Sequence, residues 1–201
     1  MDQSEIQKLY ELYRTPEHIR EHCSKVALVG GKIAKSISEK GIEIDVDSVI
    51  HAGLLHDILR VVDIDGDHYK ELCKKAPKQD VLVWNALKKQ FNNLEHPYAI
   101  YRMLMSWGEE KIASIVRKHQ FEAIISPEEL PFTLEEKIMT YADKRVLHAK
   151  IVSLKGRFED GAKRYQEGTE AKRIYDKYFE LEKELFALLP FAPESISEDT
   201  L

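Results

Sequence analysis

The stretch Ala52-Gly53-Leu54-Leu55-His56-Asp57 decides the fold. Small and apolar residues run up to an imidazole beside a carboxylate. Taking either group out of water is costly unless something offsets its charge. A divalent cation does that, and His with Asp is ligand chemistry that zinc, iron and manganese accept. His22, His96, His119 and Asp143 answer the pair from elsewhere in the chain, and the basic Arg60 follows Asp57 by three residues. Ionisable groups on the inward faces of separate helices suit a metal site in a bundle core.

Periodicity outward from this stretch is helical almost everywhere. Thr15-Pro16-Glu17 has the form of an N-cap, a first-turn proline and an acidic first turn. The helix that follows carries Ile19, Cys23, Val26, Ile33 and Ile37 on one face and stops at Gly41, which sets His22 inward. Asp45 to Asp47 start the helix that ends on His56-Asp57. His56 shares a face there with Ala52 and Gly53, whose small side chains leave room at a helix crossing. Asp63-Ile64-Asp65-Gly66-Asp67 reads as a solvated loop. It is not a calcium loop: its glycine falls at the fourth position, not the sixth, and Lys74 stands where the closing Glu belongs.

Asp80 opens a short helix closed by Asn92-Asn93. His96-Pro97 opens another, running through Ile100, Leu104 and Trp107 to Gly108. Glu109-Glu110 opens a third, ending near His119. A loop over Ser126-Pro127 and Leu130-Pro131 leads to Thr133, which forms a capping box with Glu136. That helix carries Ile138, Tyr141, Ala142 and Val146 towards Leu154, with Asp143 inward. From about Gly161, Lys and Glu become dense, interleaved with Tyr165, Tyr175, Tyr178, Phe179, Leu181 and Leu185. One long amphipathic helix is expected there, packed on the body or making a homodimer contact. Pro193 to Leu201 reads as a loose polar tail.

The chain's 201 residues hold one sizeable core, and no repeat or linker divides it, so a single all-α domain is expected. Its motif core spans about 16–150 and its helical extension about 155–190. A net charge of -5 argues against a duplex nucleic-acid partner, which needs a basic face. No run approaches the ~20 apolar residues of a membrane span, and the N-terminal residues lack a secretory leader. A cytoplasmic protein is the expectation. The two cysteines, Cys23 and Cys73, are too few for a disulfide framework. Cys23 beside His22 reads as a small helix hydrophobe or as a further ligand.

Three segments, His22-Cys23-Ser24-Lys25-Val26-Ala27, Gly53-Leu54-Leu55-His56-Asp57-Ile58 and Tyr141-Ala142-Asp143-Lys144, resemble the HD-domain phosphohydrolase superfamily. The resemblance covers roughly residues 16 to 150. It implies an all-helical bundle in which His22, His56, Asp57 and Asp143 hold a divalent metal. The added His96 and His119 are similar to the subgroup that binds two ions, with Asp57 bridging. The ions so implied are one or two of iron, manganese, cobalt, nickel or zinc, and residue type does not choose among them. Ligand order and length are most similar to the small bacterial enzymes that split diadenosine tetraphosphate symmetrically. The chain departs from them at Leu59-Arg60, where that group has a small residue and then Lys, and at Gln120, where it has Thr. The Gly-Tyr-Pro signature of the cyclic-di-GMP branch is missing.

The activity implied is hydrolysis of a phosphomonoester or phosphoanhydride in a small phosphorylated, nucleotide-like substrate, with Asp57 and Arg60 carrying catalysis. Arg60, Lys144 and Arg145 are the candidate phosphate contacts, arginine being suited to bidentate binding. Two other classes stay open. One is a regulatory module that binds metal or nucleotide without turnover, and the other is a structural protein whose histidines are core residues.

Overall fold

The computed structural model describes residues 1–92, 94–128, 130–164 and 169–200. Asn93, Tyr165 and Leu201, expected at a helix end, in the C-terminal amphipathic stretch and in the polar tail, lie outside the described residues. The described residues form an all-α fold. Its first eight helices are α1 (Gln3–Leu12), α2 (Glu17–Ser38), α3 (Val46–Leu55), α4 (Gly66–Lys75), α5 (Lys78–Gln90), α6 (His96–Ser106), α7 (Glu110–Arg117) and α8 (Leu134–Lys144). A small antiparallel hairpin, β1 (Val146–Leu147) and β2 (Lys150–Ile151), precedes α9 (Leu154–Arg164) and α10 (Thr169–Ala187).

Helices α2, α3 and α8 pack against one another and form the centre of the bundle, with α7 against α3 and α8. Glycine decides how closely α2 and α3 cross. A Cβ on Gly53 would stand 2.6 Å from the Cα of Ala27 and 2.8 Å from its backbone nitrogen. Only a residue without a side chain fits there. His22 lies five residues before Ala27 and His56 three after Gly53, so this crossing sets their rings 5.2 Å apart. Val26, Val29, Ile33, Val49, Leu55, Ile138 and Ala142 close the core around it.

Several expectations need correction. Pro16 is the N-cap of α2, and the Thr15 hydroxyl instead donates to the carbonyl of Ile58 at 3.1 Å. Helix α1 did not show in the sequence pattern, although Asp2 and Glu5 form a capping box at its start. The acidic loop is shorter than expected, because α4 begins at Gly66. The helix through Asp143 stops at Lys144 rather than running towards Leu154. There the chain turns into the hairpin, with His148 at a φ of 56°. At the C-terminus a second helix accompanies the long one: the Phe158 ring stacks on Tyr175 at 4.2 Å. Seventeen residues of one straight helix would hold those rings about 25 Å apart at 1.5 Å per residue. Helices α9 and α10 therefore fold against each other.

Candidate metal centre

Five helical segments bring the six expected ligands to one place. His22 comes from α2. His56 and Asp57 come from the end of α3, and His96 from the first residue of α6. His119 follows α7, and Asp143 lies in the last turn of α8. The rings of His56 and His119 lie 5.0 Å apart, and those of His96 and His119 5.1 Å apart.

Every one of these histidines has its Nδ1 committed. His22 Nδ1–H donates to the carbonyl of His148 at 2.8 Å, His56 to Gly53 at 2.8 Å and His119 to Val116 at 2.5 Å. His96 Nδ1–H donates to Asp63 Oδ2 at 2.7 Å, and the same oxygen accepts the His96 backbone N–H. Such bonds select the tautomer whose Nε2 carries the free lone pair and fix the ring's direction. The Nε2 atoms converge on two carboxylates. Asp143 Oδ1 lies 3.1 Å from His22 Nε2 and 3.6 Å from His56 Nε2. Asp57 Oδ1 lies 2.9 Å from His96 Nε2 and 3.7 Å from His119 Nε2, while its Oδ2 faces His56 at 3.8 Å.

This donor set fits a divalent cation. His56 Nε2 is buried with no hydrogen-bond partner, and an orphaned buried nitrogen in a native core needs a reason. The Nε2 atoms of His96 and His119 stand 3.1 Å apart, close enough to face one ion. Ligand atoms of His22, His56 and Asp143 form one compact group, and those of His56, Asp57 and His119 a second. His96 adjoins the second through Asp57. The two oxygens of Asp57 face different histidines, as a bridging carboxylate would.

Electrostatics bind the cluster together. Burial raises the pKa of Asp57, but the charges of His56 and His96 outweigh it and hold the carboxyl well below its usual range. Asp143 is likewise held low against burial by the Lys144 charge and by His22 and His56. Burial pushes His119 down to about 4 despite its bond to Asp57. His56 shifts upward because Cys23, Asp57 and Asp143 outweigh the cost of burial, and His96 because Asp57 and Asp63 do.

The three expected phosphate contacts separate. Arg60 stands at the edge of the cluster, its side chain 44% exposed and its Nη1 3.5 Å from Asp63 Oδ1, beside the His96 ring. Lys144 is buried, and its Nζ donates to Asp143 Oδ2 at 2.5 Å and to the His119 carbonyl at 3.1 Å. Arg145 is committed elsewhere. Its guanidinium donates to Tyr141 Oη and to the carbonyls of Val152, Pro193 and Ile196, which ties the C-terminal segment to α8. Those bonds turn it towards the packing between α8 and the C-terminal segment. Asp63 is the site residue that the sequence reading missed, because an acid in a polar loop looks like an ordinary solvated turn. His148 was missed because a backbone carbonyl has no sequence signature. Cys23 is fully buried on α2, beside His56 and Tyr10.

The sequence profile of the HD domain matches residues 19–146. An uncharacterized protein of Methanocaldococcus jannaschii is 30% identical over 149 residues, which cover 69% of this chain and 72% of the relative. No solved structure matches. All six convergent His and Asp residues fall inside the profile match, and the chain belongs to the HD-domain family.

Proposed function

We propose that this protein is a metal-dependent phosphohydrolase that cleaves a phosphomonoester or phosphoanhydride in a small nucleotide-like substrate. One observation carries the reading: four histidines with Nδ1 already bonded turn Nε2 towards Asp57 and Asp143. His22, His56 and Asp143 are the proposed holders of one ion, and Asp57, His96 and His119 of a second, with Asp57 shared. A divalent cation held there supplies charge neutralisation at a phosphoryl oxygen and water acidified towards neutrality. The chain's own residues do the remaining work. Asp63 and the carbonyls of Gly53, Val116 and His148 keep the imidazoles aimed. Arg60, at the edge, is the proposed contact for a non-bridging phosphate oxygen, for which its planar fork is suited.

The test is phosphate or nucleotide release by the purified protein. Mono-, di- and cyclic nucleotides and dinucleoside polyphosphates would each be offered with Mn, Fe, Co, Ni and Zn in turn. Turnover with one substrate class, lost in Asp57→Ala, supports the proposal. Tight nucleotide binding without turnover under every metal supports a regulatory module instead.

A further inference from the structure

Lys144 is a buried cation beside a site built for cations. By Coulomb repulsion alone it weakens metal binding, so its position needs another explanation. Its Nζ donates to Asp143 Oδ2, the oxygen turned away from the histidines, while Oδ1 faces His22 and His56. The same ammonium donates to the carbonyl of His119, a residue of the other ligand group. Two aromatic rings complete its surroundings: Phe121, in the short helix Phe121–Ile125, at 5.7 Å and Tyr178 of α10 at 6.0 Å. Ring faces attract an ammonium, and more strongly where water is excluded. Phe121 and Tyr178 are themselves stacked at 5.7 Å, and α10 packs on both α8 and the Phe121–Ile125 helix.

We propose that Lys144 is a positioning residue of the metal centre. It withholds Asp143 Oδ2, so that the carboxylate offers Oδ1 alone, and it ties that carboxylate to the His119 end of α7. Helix α10, which lies beyond the matched family region, closes the aromatic side of this cage through Tyr178. The geometry of the ligands thus depends on the C-terminal helix, which supplies none of them. This inference rests on reading the cluster as a metal centre.

The sign of one effect decides it. Mn²⁺ would be titrated calorimetrically into wild-type protein, Lys144→Met and Tyr178→Leu, with circular dichroism melts as the check on folding. If Lys144 only contributes charge, Lys144→Met binds Mn²⁺ more tightly than wild type. If it positions Asp143, Lys144→Met binds about 10–100-fold more weakly, the usual loss when a residue that orients a metal ligand is removed. Tyr178→Leu keeps the ammonium and shows a smaller loss of the same sign. The visible spectrum of the Co²⁺-loaded protein changes as well, because freeing Oδ2 alters how Asp143 coordinates. Unchanged or tighter binding in folded Lys144→Met overturns the proposal. Should that variant not fold, unchanged or tighter binding by Tyr178→Leu overturns it. Wild-type protein that binds neither Mn²⁺ nor Co²⁺ overturns the metal-centre reading, and this inference with it.

Discussion

His22 Nε2 and Asp143 Oδ1 lie 3.1 Å apart although 121 residues separate them in the chain. Their partners are different kinds of group. The other nitrogen of His22 donates to the carbonyl of His148, just past α8, and the other oxygen of Asp143 accepts from Lys144. Each of the two is therefore held from behind, and the atoms that face each other are the ones suited to share a cation.

Metal removal should destabilise the fold. A ligand that binds only the native state contributes about 2.7 kcal/mol when present at 100 times its dissociation constant. For a chain of this size that corresponds to a melting temperature roughly 5–10 °C lower after exhaustive chelation. Scanning calorimetry before and after chelation checks this. A melting temperature indifferent to chelator would return the histidines to an ordinary core role.

Gly53→Ala should damage fold and site together. The new methyl group would meet backbone atoms of Ala27 at 2.6 and 2.8 Å, which cannot rotate away. Forcing α2 from α3 should cost about 1–3 kcal/mol, the usual range for overpacking. It should also separate His22 from His56, so metal affinity falls in the same variant. Urea denaturation and a metal titration read the two effects. A normal affinity in a destabilised protein would mean that the crossing does not set the spacing of the ligands.

Asp63→Ala should weaken metal binding about 10–100-fold while leaving a folded protein, since it frees the His96 ring to rotate and change tautomer. The carboxylate also accepts the His96 backbone N–H at 2.9 Å, so a stability loss of about 1 kcal/mol accompanies it. Metal affinity equal to wild type would remove Asp63 from the site.

Acid should loosen α3 through Asp45. Its carboxylate accepts the Ser48 backbone N–H at 3.0 Å as the helix N-cap, accepts the Ser48 hydroxyl and pairs with Lys111 at 3.0 Å. Those contacts outweigh partial burial and lower its pKa from 3.8 to about 2. A folded-state pKa below the unfolded one means that the contribution is complete above pH 3.8 and is lost as pH falls through about 2. Asp45→Ala should cost about 1 kcal/mol near neutrality. Asp45→Asn keeps an acceptor for the cap and should flatten the stability profile between pH 4 and 2. Melts across that range decide it, and an unchanged slope in Asp45→Asn would assign the acid sensitivity to other carboxylates.

The convergence of His22, His56, Asp57, His96, His119 and Asp143 was legible in the sequence, because burying imidazole and carboxylate is costly enough that His and Asp on apolar helix faces demand an explanation. The helices that bear these residues were legible for a similar reason: Ile19, Cys23 and Val26, or Ile138, Tyr141 and Ala142, repeat at the helical period, and Thr133 with Glu136 marks a start locally. The need for space at a helix crossing was already visible in Ala52-Gly53. All of these are properties of residue type and short-range spacing.

Only the tertiary structure decided which cations reach the cluster. Lys144 and Arg145 are neighbours in sequence, yet one turns inward beneath Asp143 and the other reaches the carbonyls of Pro193 and Ile196. It likewise decided that Asp63 is a partner of His96 rather than a loop acid, and that His148 and Val116 aim imidazoles through their carbonyls. The physical reason is common to all of them. A hydrogen bond depends on distances of tenths of an ångström between groups far apart in the chain, and any residue can lend a carbonyl. Composition and periodicity determine which groups must be buried, whereas packing determines which partner each of them meets.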